Sequence, residues 1–196
     1  MPLSRRHWIF DMDGTLTIAA HDFDQFKEDH NLNMQKPILE QLPSFSQERR
    51  DHILQSLVDW EKDIANRAKL APDALPLLQH LKENGHRLAI LTRNTRPLAF
   101  RTLQQANIAH FFEEETVLGR SCAEPKPSPD GVNRILKHWN AQPNDAVMVG
   151  DYLFDLDAGR AAGVFCIYID RKNSQMWQDH ADLTLTRLDR ILDEEQ

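Results

Sequence analysis

Few cysteines and no long apolar run occur in this sequence, and these two absences exclude several classes of protein. The two cysteines, Cys122 and Cys166, lie far apart and form no CxxC pair, so no disulfide framework is expected. No stretch reaches the roughly 18 apolar residues that a membrane-spanning helix requires. The N-terminal apolar run, Trp8–Phe10, is too short for the core of a signal peptide. We therefore expect a cytoplasmic protein with reduced thiols and no membrane partner.

Basic charge is also scarce, with 23 lysines and arginines against 30 acidic residues and a formal net charge of −7. This balance gives no electrostatic reason to bind nucleic acid. Nine histidines form no HxxxH or HExxH zinc motif. An anionic substrate would therefore need positive charge from a metal ion or from a few basic residues. The hydrophobic fraction of 41% permits a proper core, and the length suits one domain with a small inserted module.

Short apolar runs alternate with helical stretches, which is the pattern of an α/β protein. Continuous apolar runs, such as residues 88–91, suit strands that are buried on both faces of a parallel sheet. The charged C-terminal stretch Asp189–Gln196 is expected to fray. The predicted strands are His7–Phe10, Arg87–Leu91, Thr116–Leu118, Ala146–Val149 and Val164–Ile169. The predicted helices between them lie near Asp73–Glu83, Pro97–Ala106, Pro129–Trp139 and Leu156–Ala162.

Residues 17–70 interrupt this alternation and contain no convincing strand. The clearest helix covers Gln47–Lys69, where apolar residues recur at three- and four-residue spacing, and shorter helices are predicted at Asp22–His30 and Pro37–Leu42. We predict that residues 17–70 form a helical cap inserted into an α/β core of residues 1–16 and 71–196. Candidate substrate contacts on this cap are His21, Phe23, Lys27, Arg49 and Arg50.

Polar side chains follow three of the predicted strands at the point where each strand ends. Asp11 and Asp13 follow the first strand, Thr92 follows the second, and Asp151 and Asp155 follow the fourth. Ligands of α/β sheets bind beyond the carboxyl ends of the strands, so these side chains are expected to meet. Carboxylates suit Mg²⁺, which prefers oxygen ligands, and a threonine hydroxyl can donate to a phosphoryl oxygen.

Two further residues stand out by their backbone setting. Prolines on both sides of Lys126 restrict its backbone, which favours a fixed role over that of an ordinary surface lysine. Gly14 permits the sharp turn that leaves the first strand. Taken singly, each of these motifs could be a turn, a helix cap or a surface residue.

Taken together, the motifs resemble those of the haloacid dehalogenase-like hydrolase superfamily. The resemblance covers essentially the whole chain and implies a Rossmann-like parallel sheet sandwiched by helices. The position of the insertion is similar to that in the phosphoglycolate phosphatase-like subgroup, which has a helical cap between its first two motifs. The matching segments are Asp11-x-Asp13-Gly14-Thr15-Leu16, Thr92, Lys126-Pro127-x-Pro129-Asp130 and Gly150-Asp151-x-x-x-Asp155.

The resemblance implies a magnesium-dependent phosphatase that acts on a small phosphorylated metabolite, such as phosphoglycolate or a sugar phosphate. In this family Asp11 would be the nucleophile that forms an aspartyl-phosphate, and Asp13 would be the general acid and base. Thr92 would orient the phosphoryl group, and Lys126 would neutralise its charge. The implied phosphate contacts are Gly14, Thr92, Arg93, Asn94 and Lys126. The implied metal contacts are Asp11, Asp13 through its backbone carbonyl, Asp151 and Asp155, with Asp157 as the substitute for Asp155.

Several alternatives stay open at this point. The same core could serve a phosphoryl-transfer mutase or a nucleotide phosphatase, and a catalytically inactive binding protein is disfavoured by the complete set of site residues. Asp13 argues against a dehalogenase, because family members that act on carbon–halogen bonds lack this second aspartate. The sequence does not distinguish a monomer from a homodimer.

Overall fold

Six parallel strands form one sheet in the computed structural model, which describes residues 1–20 and 22–195. The strands are β1 (His7–Phe10), β2 (Arg87–Leu91), β3 (Val117–Leu118), β4 (Ala146–Gly150), β5 (Phe165–Ile169) and β6 (Leu183–Leu185). Their order across the sheet is β3-β2-β1-β4-β5-β6, with every neighbouring pair parallel. The predicted parallel α/β fold is confirmed. The sequence missed only β6, which is three residues long.

Seven α-helices accompany this sheet in the described part of the chain. They are α1 (Phe23–Asp29), α2 (Ile38–Gln41), α3 (Gln47–Asn66), α4 (Ala74–Glu83), α5 (Arg96–Gln105), α6 (Asp130–Trp139) and α7 (Leu153–Ala162). The predicted helices all form, although α7 begins three residues earlier than predicted. Within residues 1–20 and 22–195, no helix combines the length and apolar character needed to cross a membrane.

The central strands are buried on both faces, and their alternating side chains enter two separate hydrophobic clusters. Trp8 and Phe10 of β1 pack on one face with the apolar side of α4. Ile9 points to the other face and packs in a second cluster with α6 and α7. Helices therefore pack on both faces of the sheet. The carboxyl end of β1 lies between those of β2 and β4.

Helices α1, α2 and α3 carry a small apolar cluster of their own, which includes Phe26, Ile38 and Leu57. The first and last residues of this helical segment lie next to each other. Thr17 and Leu70 form an antiparallel bridge, and the backbone N–H of residue 18 donates to the carbonyl of residue 69 at 2.9 Å. The insertion is thus helical, as predicted, and its division from the core at residues 17 and 70 stays a prediction.

The prediction of a frayed C-terminus is wrong for the residues that the structure describes. Leu188–Glu195 forms a 3₁₀-helix. Leu188 and Ile191 are fully buried against the same cluster as α4. The backbone N–H of Leu188 also donates to Asp73 Oδ2 at 2.7 Å. Two apolar residues three positions apart share one helical face, and their burial outweighs the local charge. Gln196 lies outside the described residues.

Candidate active site

Asp11 and Lys126 meet at the carboxyl edge of the sheet, where β1 ends. The backbone N–H of Asp11 still donates to Val149 on β4, so its position is fixed by the sheet. The Lys126 ammonium lies 2.7 Å from Asp11 Oδ1 and 2.6 Å from Asp155 Oδ1, and it also donates to the carbonyl of Leu91 at 2.7 Å. Burial by itself would lower the pKa of Lys126, but the charges of Asp11 and Asp155 outweigh burial and raise that pKa. The two carboxylates therefore stabilise the charged form of the Lys126 ammonium.

Three carboxylates, those of Asp11, Asp151 and Asp155, come together beside this lysine. One oxygen from each lies within 4.8 Å of the others. Burial raises the pKa of Asp151 well above its ordinary value, and the charges of Asp11 and Asp155 raise it further. Burial likewise raises the pKa of Asp155 to about 6, although Lys126 opposes the shift. Such crowding of like charges is unfavourable unless a cation or protons neutralise it.

The chemistry of this donor set fits a hard divalent cation. All three ligand candidates offer carboxylate oxygens, which Mg²⁺ prefers. The buried Asp11 Oδ2 receives no hydrogen bond from the residues that the structure describes. Gly150 permits the crowding, because a Cβ at this position would lie 2.2 Å from the Cβ of Asp155. Asp157, the substitute ligand, points elsewhere, and its Oδ1 lies 2.9 Å from Nδ1 of His180.

Asp13 lies beside this cluster, and its carboxylate is not among the three grouped oxygens. Asn94 donates from Nδ2 to Asp13 Oδ2 at 2.7 Å, and the Asn94 backbone N–H donates to Thr92 Oγ1 at 3.1 Å. Burial raises the pKa of Asp13 to about 7, with further increases from the charges of Asp11 and Glu61. A carboxyl group with this pKa exists in both protonation states near neutral pH, as an acid–base group must.

The side chains of Arg93 and Asn94 bind groups of the protein itself, and the predicted phosphate contacts of these two residues stay predictions. The Arg93 guanidinium donates to the Lys126 carbonyl at 2.6 Å and pairs with Glu40 at 2.7 Å. It also stacks over the ring of Phe154, with 4.8 Å between guanidinium carbon and ring centroid. Arg93 therefore links the loop that contains Lys126 to α2, whereas Asn94 orients Asp13.

The turn after β1 is built around Gly14, which has a φ of +93°. A Cβ at this position would lie 2.1 Å from Asp151 Oδ2, so only glycine lets the turn approach that carboxylate. Its N–H donates to the Thr17 carbonyl at 3.0 Å, so this amide is occupied within the turn. Arg171 holds the other side of the turn by donating to the carbonyls of Gly14 and Thr15 at 3.1 and 2.8 Å.

Sequence reasoning missed Arg171 and the pair formed by Glu61 and Arg120. Arg171 stands two residues after the end of β5, so its place at the carboxyl edge was a usable signal. Glu61 occupies the buried stripe of α3 between Leu57 and Ile64, where a charged residue is unexpected. Its partner Arg120 follows β3 closely.

The predicted cap contacts are used within the helical segment itself. Lys27 donates to the Met34 carbonyl, Arg49 to the Asn31 carbonyl, and Arg50 to the Gln47 side chain. The ring of Phe23 packs edge-on against Trp60, with centroids 5.5 Å apart. His21 lies outside the described residues. None of the described contacts of these side chains brings them to the carboxylate cluster.

Comparison with known proteins shows to which family the chain belongs. The family model of the haloacid dehalogenase-like hydrolases matches residues 6–163, which is most of the chain and includes every residue of the cluster. The chain belongs to this family. A haloacid dehalogenase-like hydrolase domain-containing protein of Arabidopsis thaliana is 29% identical, over 83% of this chain and 69% of the relative.

A phosphoglycolate phosphatase of Nitrosospira multiformis is 32% identical, over 55% of this chain and 48% of the relative. Among solved structures, a haloacid dehalogenase-like family protein of Streptococcus pneumoniae superposes with a TM-score of 0.78 at 21% identity, over 99% of this chain and 100% of that one. The structural match shows the shared fold. The family match and the phosphatase relative support phosphatase chemistry, so the predicted class of enzyme, a hydrolase, is confirmed.

Proposed function

We propose that this hydrolase is a magnesium-dependent phosphatase that cleaves small phosphorylated metabolites through an aspartyl-phosphate on Asp11. The observation that carries the proposal is the asymmetric setting of the Asp11 carboxylate. Lys126 holds Oδ1 at 2.7 Å, whereas the buried Oδ2 accepts no hydrogen bond from the described residues. One oxygen is thus fixed and the other is left for a ligand or for attack, as a positioned nucleophile requires.

The carboxylates of Asp11, Asp151 and Asp155 are the side chains that would hold Mg²⁺. The family pattern adds the backbone carbonyl of Asp13. When bound, the ion would supply positive charge that offsets the repulsion between a dianionic phosphate ester and the carboxylates.

The protein's own groups divide the chemistry between them. Asp11 attacks phosphorus, and the bond from phosphorus to the leaving oxygen breaks as Asp13 donates its proton to that oxygen. Asp13 then accepts a proton from the water that attacks the aspartyl-phosphate, which releases inorganic phosphate and restores both carboxyl groups. A pKa of about 7 allows Asp13 to perform both transfers near neutral pH.

Thr92 and Lys126 would stabilise the charge of the transferring group. Thr92 Oγ1 accepts a hydrogen bond from the backbone N–H of Asn94 at 3.1 Å. The hydroxyl proton of Thr92 therefore points to another partner, which we assign to a phosphoryl oxygen. Lys126 keeps its charge within contact distance of the nucleophile. Preorganised groups of this kind act mainly by electrostatic stabilisation of the transition state.

The test is release of inorganic phosphate from a panel of phosphate monoesters, with and without Mg²⁺. Wild-type protein should turn over with Mg²⁺ and lose activity in EDTA, whereas Asp11→Asn should lose on the order of 10³-fold or more. Rapid acid quench followed by mass spectrometry should find one phosphoryl group on Asp11. Absence of Mg²⁺-dependent turnover across the panel, or normal turnover by folded Asp11→Asn, would rule out the proposal.

A further inference from the structure

Helix α3 carries one carboxylate, Glu61, from the helical segment to the edge of the active site. Its side chain is only 6% exposed, and both oxygens accept hydrogen bonds from Arg120 Nη1, at 2.6 and 3.0 Å. Glu61 shares its buried stripe with Leu57 and Ile64, so packing of the helix fixes its position. Burial raises the pKa of Glu61, and the charge and hydrogen bonds of Arg120 oppose that shift.

Arg120 connects this carboxylate to the proposed general acid. The Arg120 backbone N–H donates to the Asn94 carbonyl at 2.9 Å, and the Asn94 side chain donates to Asp13 at 2.7 Å. The contacts of Glu61 with Arg120, of Arg120 with Asn94 and of Asn94 with Asp13 thus form one continuous chain. The leaving group of a substrate must contact Asp13 to receive its proton, so it lies within the field of Glu61.

Two arginines of the described residues near the site pair with carboxylates of the helical segment. Arg120 pairs with Glu61 at 2.6 Å, and Arg93 pairs with Glu40 at 2.7 Å. An anionic leaving group would have to displace one of these carboxylates or remain beside Glu61 without a matching charge. Displacing Glu61, which is nearly buried, from Arg120 is unfavourable, because it leaves an unpaired charge in the protein, whereas Glu40 is 43% exposed.

We infer that Glu61 and Arg120 select phosphate monoesters whose leaving group is uncharged and bears hydroxyl groups, over those whose leaving group is anionic. This inference rests on the proposed phosphatase function and names its substrate class. Hydroxyl groups can donate to the Glu61 carboxylate, whereas a second carboxylate would have to compete with Glu61 for Arg120. Such competition for one guanidinium corresponds to a discrimination of about tenfold or more.

The test compares two esters with two-carbon leaving groups, 2-hydroxyethyl phosphate and 2-phosphoglycolate, at saturating Mg²⁺. For the wild type, kcat/KM should be at least about tenfold higher for 2-hydroxyethyl phosphate. In Glu61→Gln this ratio should fall, through a gain on 2-phosphoglycolate. As a matched control, Glu113→Gln removes a carboxylate from the Arg87 pair at the opposite edge of the sheet and should keep the wild-type ratio.

A wild-type preference for 2-phosphoglycolate would overturn the inference, and so would an unchanged ratio in folded Glu61→Gln. The wild-type ratio alone decides the matter if the variant does not fold. p-Nitrophenyl phosphate separates this inference from the proposed function. If the enzyme hydrolyses that ester with Mg²⁺ but prefers 2-phosphoglycolate, the phosphatase stands and only the substrate class is wrong. If no ester is hydrolysed, both fail.

Discussion

Arg171 and Asp73 form an ion pair, and the same arginine binds the turn that follows β1. Arg171 Nη1 lies 3.0 and 2.8 Å from the two carboxylate oxygens of Asp73, which is only 2% exposed. The other two nitrogens of Arg171, Nε and Nη2, donate to the carbonyls of Gly14 and Thr15. One guanidinium thus joins the start of α4 to the turn after β1, and Lys could not reproduce this planar set of donors.

Arg171→Met should therefore lower the free energy of unfolding by about 2–3 kcal/mol, because it leaves the Asp73 carboxylate without its ion pair. Urea unfolding measures the change. The matched control is Arg190→Met. Arg190 and Asp193 form an ion pair in which both side chains are exposed, so this pair should contribute less than about 1 kcal/mol to the free energy of unfolding. Equal losses in the two variants would contradict a specific role for Arg171.

Ionisation of Asp13 should destabilise the metal-free protein as pH rises. The pKa of this carboxyl is raised from 3.8 to about 7 in the fold, so the folded state binds its proton more tightly than the unfolded state does. The resulting stabilisation of the folded state is fully present below pH 3.8, the ordinary pKa of an aspartate, and is lost as pH rises through about 7.

Relative to Asp13→Asn, the wild type in EDTA should thus lose about 2–3 kcal/mol of stability between pH 5 and pH 8. Denaturant unfolding of both proteins across this range isolates the contribution of the one group. Parallel stability curves for the two proteins would show that the Asp13 carboxyl is not perturbed in this way.

Removing the charge of Asp151 should raise thermal stability without metal and lower it with Mg²⁺, relative to the wild type. Burial and two neighbouring carboxylates raise its pKa, so the metal-free site destabilises the ionised form of Asp151. Asp151→Asn should raise the Tm by a few degrees in EDTA. It should also abolish the increase in Tm that Mg²⁺ produces in the wild type. Thermal melts with and without Mg²⁺ check both statements, and an unchanged response to Mg²⁺ in the variant would remove Asp151 from the metal site.

Loss of Asp13 should depend on the leaving group. An alkoxide leaves poorly without a proton, whereas p-nitrophenolate leaves without such help. Asp13→Asn should therefore lose about 10²–10⁴-fold in kcat on an alkyl phosphate and much less on p-nitrophenyl phosphate. Steady-state kinetics on both substrates give the comparison. Equal losses on the two esters would argue against proton donation by Asp13.

Much of this site follows from local sequence pattern, because parallel strands bring their carboxyl ends to one edge. Asp11, Thr92 and Asp151 each come directly after an apolar strand, so placing the strands also placed these residues. Lys126 follows from its rigid setting between prolines together with the family pattern. These predictions need only the order of the chain and the geometry of an α/β sheet.

The missed residues depend on contacts between distant segments. Arg171 and Asp73 are 98 positions apart, and Glu61 and Arg120 are 59 positions apart. No periodicity links such pairs, and an arginine or glutamate is usually a surface residue. Strand β6 was missed for a related reason, because Leu183–Leu185 is too short to show a pattern and is held by its pairing with β5.

The bridge between Thr17 and Leu70 has a consequence for how this core can change over evolutionary time. Since the two ends of the inserted segment are already neighbours, closing a longer or shorter connection between them changes the chain entropy only slowly, by about 0.6 kcal/mol for each doubling of length. Chain entropy alone therefore places little constraint on the length of the segment inserted at this point. The pairs of Glu61 with Arg120 and of Glu40 with Arg93 nevertheless tie this particular segment to the core, so a replacement of another length would have to supply new partners for both arginines.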